Sequence, residues 1–166
     1  MPNYEILPYD REAAVAYARR WAFSRNPAYY DFSAIGGDCT NFASQCIYAG
    51  AKIMNFTPTL GWFYRSASNR TASWTGVEYL YNFLTANASE GPFAKEVPLS
   101  ELQRGDIVQL ASATGDFYHS PVVVGFSAGE ILVAAHSYDA FDKRLSSYGA
   151  AITRGLHISG VRRIFS

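Results

Sequence analysis

Apolar positions recur every three or four residues in the first half of the chain, as they do along one face of a helix. This spacing predicts three helices, at residues 11–24, 39–49 and 76–85. Asp10 and Asp38 precede the first two helices and are predicted N-caps, while Gly50 follows the second and is its predicted C-cap. Residues 55–73 are predicted to be irregular and residues 87–98 to form a loop.

The pattern changes to short apolar runs in the second half, which is typical of strands. Strands are predicted at residues 107–110, 118–126, 131–137 and 158–165, with a hairpin turn at Ala128-Gly129. Helices that come first and strands that come second indicate an α+β fold, in which N-terminal helices pack on a C-terminal antiparallel sheet. No repeat, linker or low-complexity segment divides the sequence, so residues 1–166 are predicted to form a single domain.

The composition excludes several classes of protein. Hydrophobic residues make up 49% of the 166 residues and charged residues 17%, which is typical of a folded globular chain. The formal net charge is zero and the basic residues are scattered, which argues against a nucleic-acid partner. The sequence contains no apolar run of about 18 residues that would predict a membrane span. Residues 1–10 lack the basic and apolar regions of a signal peptide.

The chain has two cysteines, Cys39 and Cys46, whose Cα atoms would lie about 10 Å apart on one helix. A disulfide requires less than about 7 Å, so this pair cannot bridge. Cys39 begins the predicted helix directly after Gly36-Gly37-Asp38, where unpaired N–H groups lower a thiol pKa and can stabilise an oxyanion. The position indicates a catalytic nucleophile. The alternative is a small buried apolar residue, which is our interpretation of Cys46.

A catalytic cysteine needs a base, usually histidine, and a group that orients it. His119 begins an apolar strand and His136 closes the next one, and the predicted hairpin places His136 opposite Pro121, on the same face as His119. The two histidines therefore suit a base and its orienting partner, although each alone could be a structural residue at a strand end. His157 has no such neighbour and is predicted to be structural or exposed. A zinc site of Cys39, His119 and His136 is a further alternative, against which the wide spacing of the ligands argues.

Several motifs together resemble a known family. They are Tyr9-Asp10-Arg11, the alanine and aromatic positions of the first helix, Arg25-Asn26-Pro27, Tyr29-Tyr30-Asp31-Phe32, the run from Gly36 to Cys46, the run from Arg104 to Gln109, His119-Ser120, His136 and Leu145-Ser146-Ser147-Tyr148. Over nearly the whole chain they resemble the putative amidase domain family of bacteria. That family is similar to the papain-like NlpC/P60 and CHAP cysteine peptidases, of which it looks like a distant branch.

The resemblance implies a papain-like fold of the NlpC/P60 type and a triad of cysteine, histidine and a polar residue. Cys39 then matches the nucleophile, His119 the general base and acid, and His136 the orienting third residue. Asp38 matches the aspartate before the nucleophile, with a role either in capping the helix or in binding substrate. We expect no metal and no cofactor.

These expectations describe a thiol hydrolase that cleaves an amide bond in a peptide or peptidoglycan-like substrate of the cell wall. An acyltransferase of the same fold and a non-catalytic module that binds the cell wall are the alternatives. Tyr30 and Trp62, together with Tyr29, are candidates for lining a substrate groove, and packing in the core is the alternative for these rings. We expect a monomer. Relatives often carry secretion signals, so a secreted or wall-associated location stays open.

Overall fold

The computed structural model describes residues 2–165, which form a mixed α and β fold around a curled antiparallel sheet. The helices are α1 Arg11–Trp21, α2 Cys39–Ala51, α3 Ala72–Thr75 and α4 Val77–Ala86, with 3₁₀ helices at Leu99–Glu101 and Leu145–Tyr148. The strands are β1 Asn3–Leu7, β2 Tyr64–Ser66, β3 Asn69–Arg70, β4 Gly91–Val97, β5 Ile107–Ala111, β6 Phe117–His119, β7 Val122–Ser127, β8 Glu130–Ala135, β9 Ala140–Arg144 and β10 Ile152–Phe165. The predicted antiparallel sheet is confirmed.

The sheet has eight strands in the order β1-β10-β5-β7-β8-β9, with β4 also paired to β10 and β6 to β5. Strand β10 is 14 residues long and pairs in succession with β5, β4 and β1. Its register with β4 shifts between Ile158 and Gly160, and such an irregularity bends a strand. The first strand of the chain therefore pairs with the last. The prediction, in which helices come before all strands, contained no strand before the first helix.

The predicted loop at residues 87–98 is wrong for residues 91–97, which form β4. This segment begins with Gly91-Pro92, a pair typical of turns. Its buried positions do not alternate with exposed ones, so the period of a strand is not visible in it. Pairing with β10, which lies more than 50 residues away along the chain, makes this segment a strand.

The three predicted helices are confirmed as α1, α2 and α4, with ends that differ by up to three residues from the prediction. Asp10 caps α1, because its Oδ1 accepts a 3.0 Å hydrogen bond from the N–H of Ala13. Gly50 is not the C-cap of α2, since the helix continues to Ala51 and Lys52 follows with a φ of 61°. A Cβ on Gly50 would lie 2.5 Å from Tyr9 Cε1, so glycine allows α2 to pass close to this ring.

The core lies between the helices and the sheet. Its largest fully buried side chains are Phe42, Ile47, Trp62, Trp74, Leu80, Leu84, Ile107, Leu110, Leu156 and Ile158. Helix α2 has 10 of its 13 residues buried, so the element that begins at Cys39 is held on most of its surface. Within residues 2–165, each helix is too short or too polar to cross a lipid bilayer.

The hairpin of β7 and β8 turns at Ala128 and Gly129, as predicted. Both residues have positive φ, 51° and 80°, as a two-residue turn that matches the twist of the strands requires. Next to the turn the strands keep the predicted register, in which Phe126 pairs with Ile131. The turn signal in the sequence therefore located the hairpin correctly.

A bulge between Val123 and Gly125 changes this register by one residue, so that Val122 pairs with Ala134. A shift of one residue turns the following side chains to the opposite face of a sheet. The predicted register, which placed His119 and His136 on the same face, is therefore wrong. The interruption between β6 and β7 further separates the strand end of His119 from the regular hairpin.

Candidate active site

Cys39 is the first residue of α2, as predicted. The preceding loop turns at Gly36 and Gly37, whose φ values of 81° and 99° favour glycine. The N–H of Phe42 donates to Asp38 O at 3.0 Å and closes the first turn of the helix. The earlier N–H groups of this turn have no partner within the helix, which gives the site of the thiol a positive potential.

The Cys39 side chain is partly exposed, whereas Cys46, on the same helix, is buried, and both are free thiols. Cys39 Sγ lies 3.8 Å from the carbonyl oxygen of Tyr118 and 3.6 Å from Thr40 Oγ1. Tyr118 directly precedes His119 at the end of β6. The fold therefore brings the start of α2 against the strand end that carries the candidate base.

Burial raises the pKa of the Cys39 thiol, and hydrogen bonds from Thr40 and from the N–H of Ser120 offset only part of this rise. The position at the helix N-terminus predicted a lowered pKa for Cys39, and this prediction is wrong because the pKa is raised. The reason is that removal from water disfavours the charged thiolate more than the local donors favour it. The sulfur is therefore a neutral thiol near pH 7.

His119 is 7% exposed, and its ring is close to the rings of Tyr118 and Tyr148, at centroid distances of 6.4 and 5.4 Å. Burial, together with a smaller contribution from the positive charge of Lys143, lowers the pKa of His119 to about 4. The imidazole is therefore neutral near pH 7, which is the form that can accept a proton from a thiol.

Tyr148 and Lys143 adjoin His119 and were not among the predicted site residues. Tyr148 ends the second 3₁₀ helix, and its hydroxyl is buried without a hydrogen-bond partner among residues 2–165. Lys143 Nζ lies 4.1 Å from the centroid of the Tyr148 ring. The only signal in the sequence was the resemblance of the Leu145–Tyr148 segment to the family, and this does not assign a role to one side chain.

His136 follows β8 directly and is 1% exposed, and its bonds connect it to the helices. Nδ1 lies 2.5 Å from Asp38 Oδ2, and Nε2 lies 2.8 Å from the carbonyl oxygen of Trp21. The ring stacks on Phe42 with 4.0 Å between centroids. None of the hydrogen bonds within residues 2–165 joins His136 to His119. The fold therefore pairs His136 with the residue before the nucleophile, not with the candidate base.

Asp38 is 1% exposed, and both of its carboxylate oxygens are occupied. Oδ1 accepts hydrogen bonds of 2.9 Å from the N–H of Phe32 and from Asn41 Nδ2, while Oδ2 faces His136. The side chain makes no capping bond to α2, contrary to one of the two predicted roles. Instead it ties the loop before Cys39 to the rest of the fold, and a substrate does not reach it in this conformation.

The two aromatic candidates for a groove lie in different surroundings. Tyr30 is 46% exposed, packs on Phe32, and borders a cavity of about 450 Å³ together with Tyr64. Trp62 is 0% exposed and its Nε1 donates to Ser44 Oγ at 3.1 Å. Trp62 is therefore a core residue and does not line a groove, whereas Tyr30 remains a candidate for contact with a substrate.

Two larger cavities lie away from the candidate nucleophile. One of about 700 Å³ is bordered by residues 55–61 and by α4, and one of about 570 Å³ lies beside the tip of the β7–β8 hairpin. Neither is lined by Cys39, His119 or His136. The candidate active site is therefore defined by its reactive side chains and not by the volume of a cavity.

The geometry does not support the alternative of a zinc site. In the described part of the chain, no three side chains of His, Cys, Asp or Glu are grouped as ligands of one metal ion. The nitrogens of His136 face Asp38 and Trp21, and both would have to turn away for this ring to share a metal with Cys39.

Comparison with known proteins agrees with the family resemblance of the motifs. The chain matches the putative amidase domain family over residues 8–158. It is 37% identical over 137 residues to the uncharacterized protein YhbB of Bacillus subtilis (strain 168). This match covers 80% of the chain and 42% of that relative, so the chain spans less than half of its length. No solved structure matches the chain. The family description indicates amide hydrolysis, and the chain belongs to the putative amidase domain family.

Proposed function

We propose that this protein is a thiol hydrolase that cleaves an amide bond, with Cys39 as nucleophile and His119 as general base and acid. The observation that carries the proposal is the contact of Cys39 Sγ, at the start of α2, with the backbone beside the buried His119. Membership of an amidase family supports hydrolysis of an amide. A cysteine helix packed against an antiparallel sheet supports the papain-like fold of the NlpC/P60 type.

In the first step the Cys39 sulfur forms a bond to the carbonyl carbon, and the carbonyl π electrons move to its oxygen. The thiol proton passes to the neutral His119. Because the pKa of the thiol is raised and that of His119 is lowered to about 4, this transfer accompanies attack and does not precede it. The carbon–nitrogen bond then breaks, and His119 returns the proton to the leaving amine. Water attacks the thioester in the same way and releases the acid.

His136 acts in this proposal as a positioning residue through Asp38. Its ring links Asp38, which precedes the nucleophile, to the carbonyl oxygen of Trp21 at the end of α1. It also stacks on Phe42 in the first turn of α2. These three contacts fix the start of the helix that carries Cys39. His136 therefore positions the nucleophile through this helix and not through His119.

The proposed substrate is a peptide of the cell wall. Support comes from the resemblance of the motifs around Cys39, His119 and His136 to the putative amidase domain family, which looks like a distant branch of the NlpC/P60 and CHAP peptidases. The exposed Tyr30 ring, on the loop that leads to the nucleophile, is available for contact with such a peptide.

The test is incubation with purified peptidoglycan fragments, followed by mass spectrometry of the products. Cleavage is expected for the unmodified protein and for Cys46→Ala, which changes the buried cysteine of the same helix. Cleavage is expected to be lost in Cys39→Ala. If an added amine acceptor gives more transfer product than hydrolysis, the protein is an acyltransferase and the proposed hydrolysis is wrong. Binding of fragments without cleavage would instead identify a wall-binding module.

A further inference from the structure

The hydroxyl of Tyr148 is one of two side-chain polar atoms within residues 2–165 that are buried without a hydrogen-bond partner, the other being Arg25 Nε. A buried hydroxyl without a protein partner is costly, and its presence in a native structure calls for an explanation such as a catalytic role. A catalytic role is met when the partner is supplied in another state of the protein, for example in a complex with substrate. The unpaired hydroxyl of Tyr148 is therefore to be explained by the groups that surround it and by a substrate that could accept its hydrogen bond.

Three neighbours define the surroundings of Tyr148. Its ring lies 5.4 Å from the ring of His119, between centroids, with the planes tilted by 55°. Lys143 Nζ lies 4.1 Å from the centroid of the Tyr148 ring. Cys39 contributes to the raised pKa of Tyr148, and its Sγ lies 3.8 Å from the carbonyl oxygen of Tyr118, the residue before His119. The phenol is therefore placed among the candidate nucleophile, the candidate base and a cation.

The hydroxyl is also in the chemical state that a donor needs. Burial, with smaller contributions from Cys39 and Tyr118, raises the pKa of Tyr148 to about 12. The phenol therefore keeps its proton near pH 7. Lys143 is in none of the salt bridges within residues 2–165, and its positive charge favours an anion that forms beside this ring.

We propose that the Tyr148 hydroxyl donates a hydrogen bond to the oxyanion that forms when Cys39 attacks a carbonyl group, an inference that rests on the proposed function. The acceptor that Tyr148 lacks is supplied by the oxygen of the acyl group bonded to Cys39 Sγ. The Tyr148 hydroxyl then gains a partner only in the tetrahedral state and in the acyl-enzyme. Its hydrogen bond therefore stabilises these states of the reaction and not the resting protein. The free N–H groups of the first turn of α2 supply the other donors.

Two reactions of Cys39 separate this role from a structural one. Acetylation by p-nitrophenyl acetate forms the carbon–sulfur bond, places the π electrons on the carbonyl oxygen, transfers the thiol proton to His119 and then expels p-nitrophenolate. Alkylation by iodoacetamide displaces iodide in one step and forms no oxyanion. Removal of an oxyanion donor should therefore slow acetylation and leave alkylation unchanged.

The experiment compares the full chain with Tyr148→Phe, which removes only the hydroxyl. Tyr79→Phe is the matched control, because Tyr79 is exposed on α4. We expect acetylation of Cys39 in Tyr148→Phe to slow by about 100-fold, the usual loss for one oxyanion donor. We expect alkylation, and the urea concentration at which half of the protein unfolds, to stay the same. Mass spectrometry of the peptide that contains Cys39 identifies the modified residue, and Cys39→Ala gives the background.

Equal acetylation rates in Tyr148→Phe and the unmodified protein would overturn the inference alone. An equal loss of acetylation and alkylation would also overturn it, since Tyr148 would then only hold the shape of the site. If the unmodified protein is not acetylated at Cys39, the proposed function is wrong and this inference fails with it.

Discussion

Asp38 Oδ2 lies 2.5 Å from His136 Nδ1, and both side chains are 1% exposed. The pair joins the loop before the nucleophile to the end of β8, over 98 residues of sequence. His136 Nε2 faces the carbonyl oxygen of Trp21 at 2.8 Å and Nη1 of Arg25 at 3.2 Å, so both ring nitrogens have polar neighbours. The start of α2 is therefore fixed by a buried polar pair in addition to apolar packing.

Replacement Asp38→Asn is expected to lower the free energy of unfolding by about 3 kcal/mol, because it leaves His136 buried without its charged partner. The measurement is urea denaturation followed by circular dichroism. Asp142→Asn is the matched control, since this side chain is exposed on β9, and its effect is expected to stay within about 0.5 kcal/mol. Equal stabilities of the two variants would show that the pair does not hold the loop.

The stability of the protein is expected to fall between pH 6.5 and about pH 4 because of His119. The pKa of His119 is lowered from 6.5 to about 4 in the folded protein, so in this range the unfolded chain binds the proton and the folded chain does not. The contribution of His119 to the free energy of unfolding is therefore fully present above pH 6.5. It falls by about 3 kcal/mol in all as the pH decreases to about 4.

Comparison with His119→Gln isolates this contribution from that of the carboxyl groups. The difference in unfolding free energy between the two proteins is expected to change with pH only between about pH 4 and 6.5. A proton NMR titration of the ring should give the low pKa directly. A His119 pKa of 6.5 or higher in the folded protein would contradict the burial seen here.

The rate at which iodoacetamide alkylates Cys39 is expected to increase with pH up to and beyond pH 9. Burial holds the pKa of this thiol above its ordinary value of 9.0, and only the thiolate reacts, so the rate should increase about tenfold per pH unit up to that point. Cys46 is fully buried and should stay unlabelled in the folded protein, which provides an internal control. A rate that reaches a plateau below pH 8 would mean that a thiolate is already present in the resting site.

Replacement Lys143→Gln is expected to raise the pKa of His119, since the charge of Lys143 is one of the two causes that lower it. The pKa should stay below 6.5, because burial, the larger cause, remains. NMR titration of the His119 ring measures the change. Lys95→Gln, on the exposed side of β4, serves as control and should leave the titration as it is. An unchanged pKa in Lys143→Gln would place the ammonium group away from the ring.

Replacement Gly50→Ala is expected to destabilise the protein by about 1 to 3 kcal/mol. The added Cβ would lie 2.5 Å from Tyr9 Cε1 and 2.6 Å from Asp10 O, so helix α2 or the start of α1 must move. Gly125→Ala is the control, because a Cβ at that position meets no atom within 4 Å. Thermal unfolding compares the two, and equal midpoints would show that α2 has room at Gly50.

Local signals in the sequence were sufficient for much of the fold. The helical spacing of apolar residues located α1, α2 and α4, and the Ala128-Gly129 turn located the β7–β8 hairpin. Cys39 was correctly placed as the first residue of α2 because glycines and a polar residue precede a continuous apolar stripe. These features depend on backbone preferences over a few residues, and such preferences are present in the chain before it folds.

Contacts between distant segments decided the rest. Residues 91–97 are a strand because β10 pairs with them, and a bulge between Val123 and Gly125 breaks the register from which a common face of His119 and His136 was predicted. The raised pKa of Cys39 is a matter of burial, which exists only once β6 covers the start of α2. The sequence by itself determined which residue could be the nucleophile and where its helix begins. Its partners, its protonation and the unpaired Tyr148 hydroxyl were decided by tertiary structure, because desolvation and pairing depend on which segments meet in space.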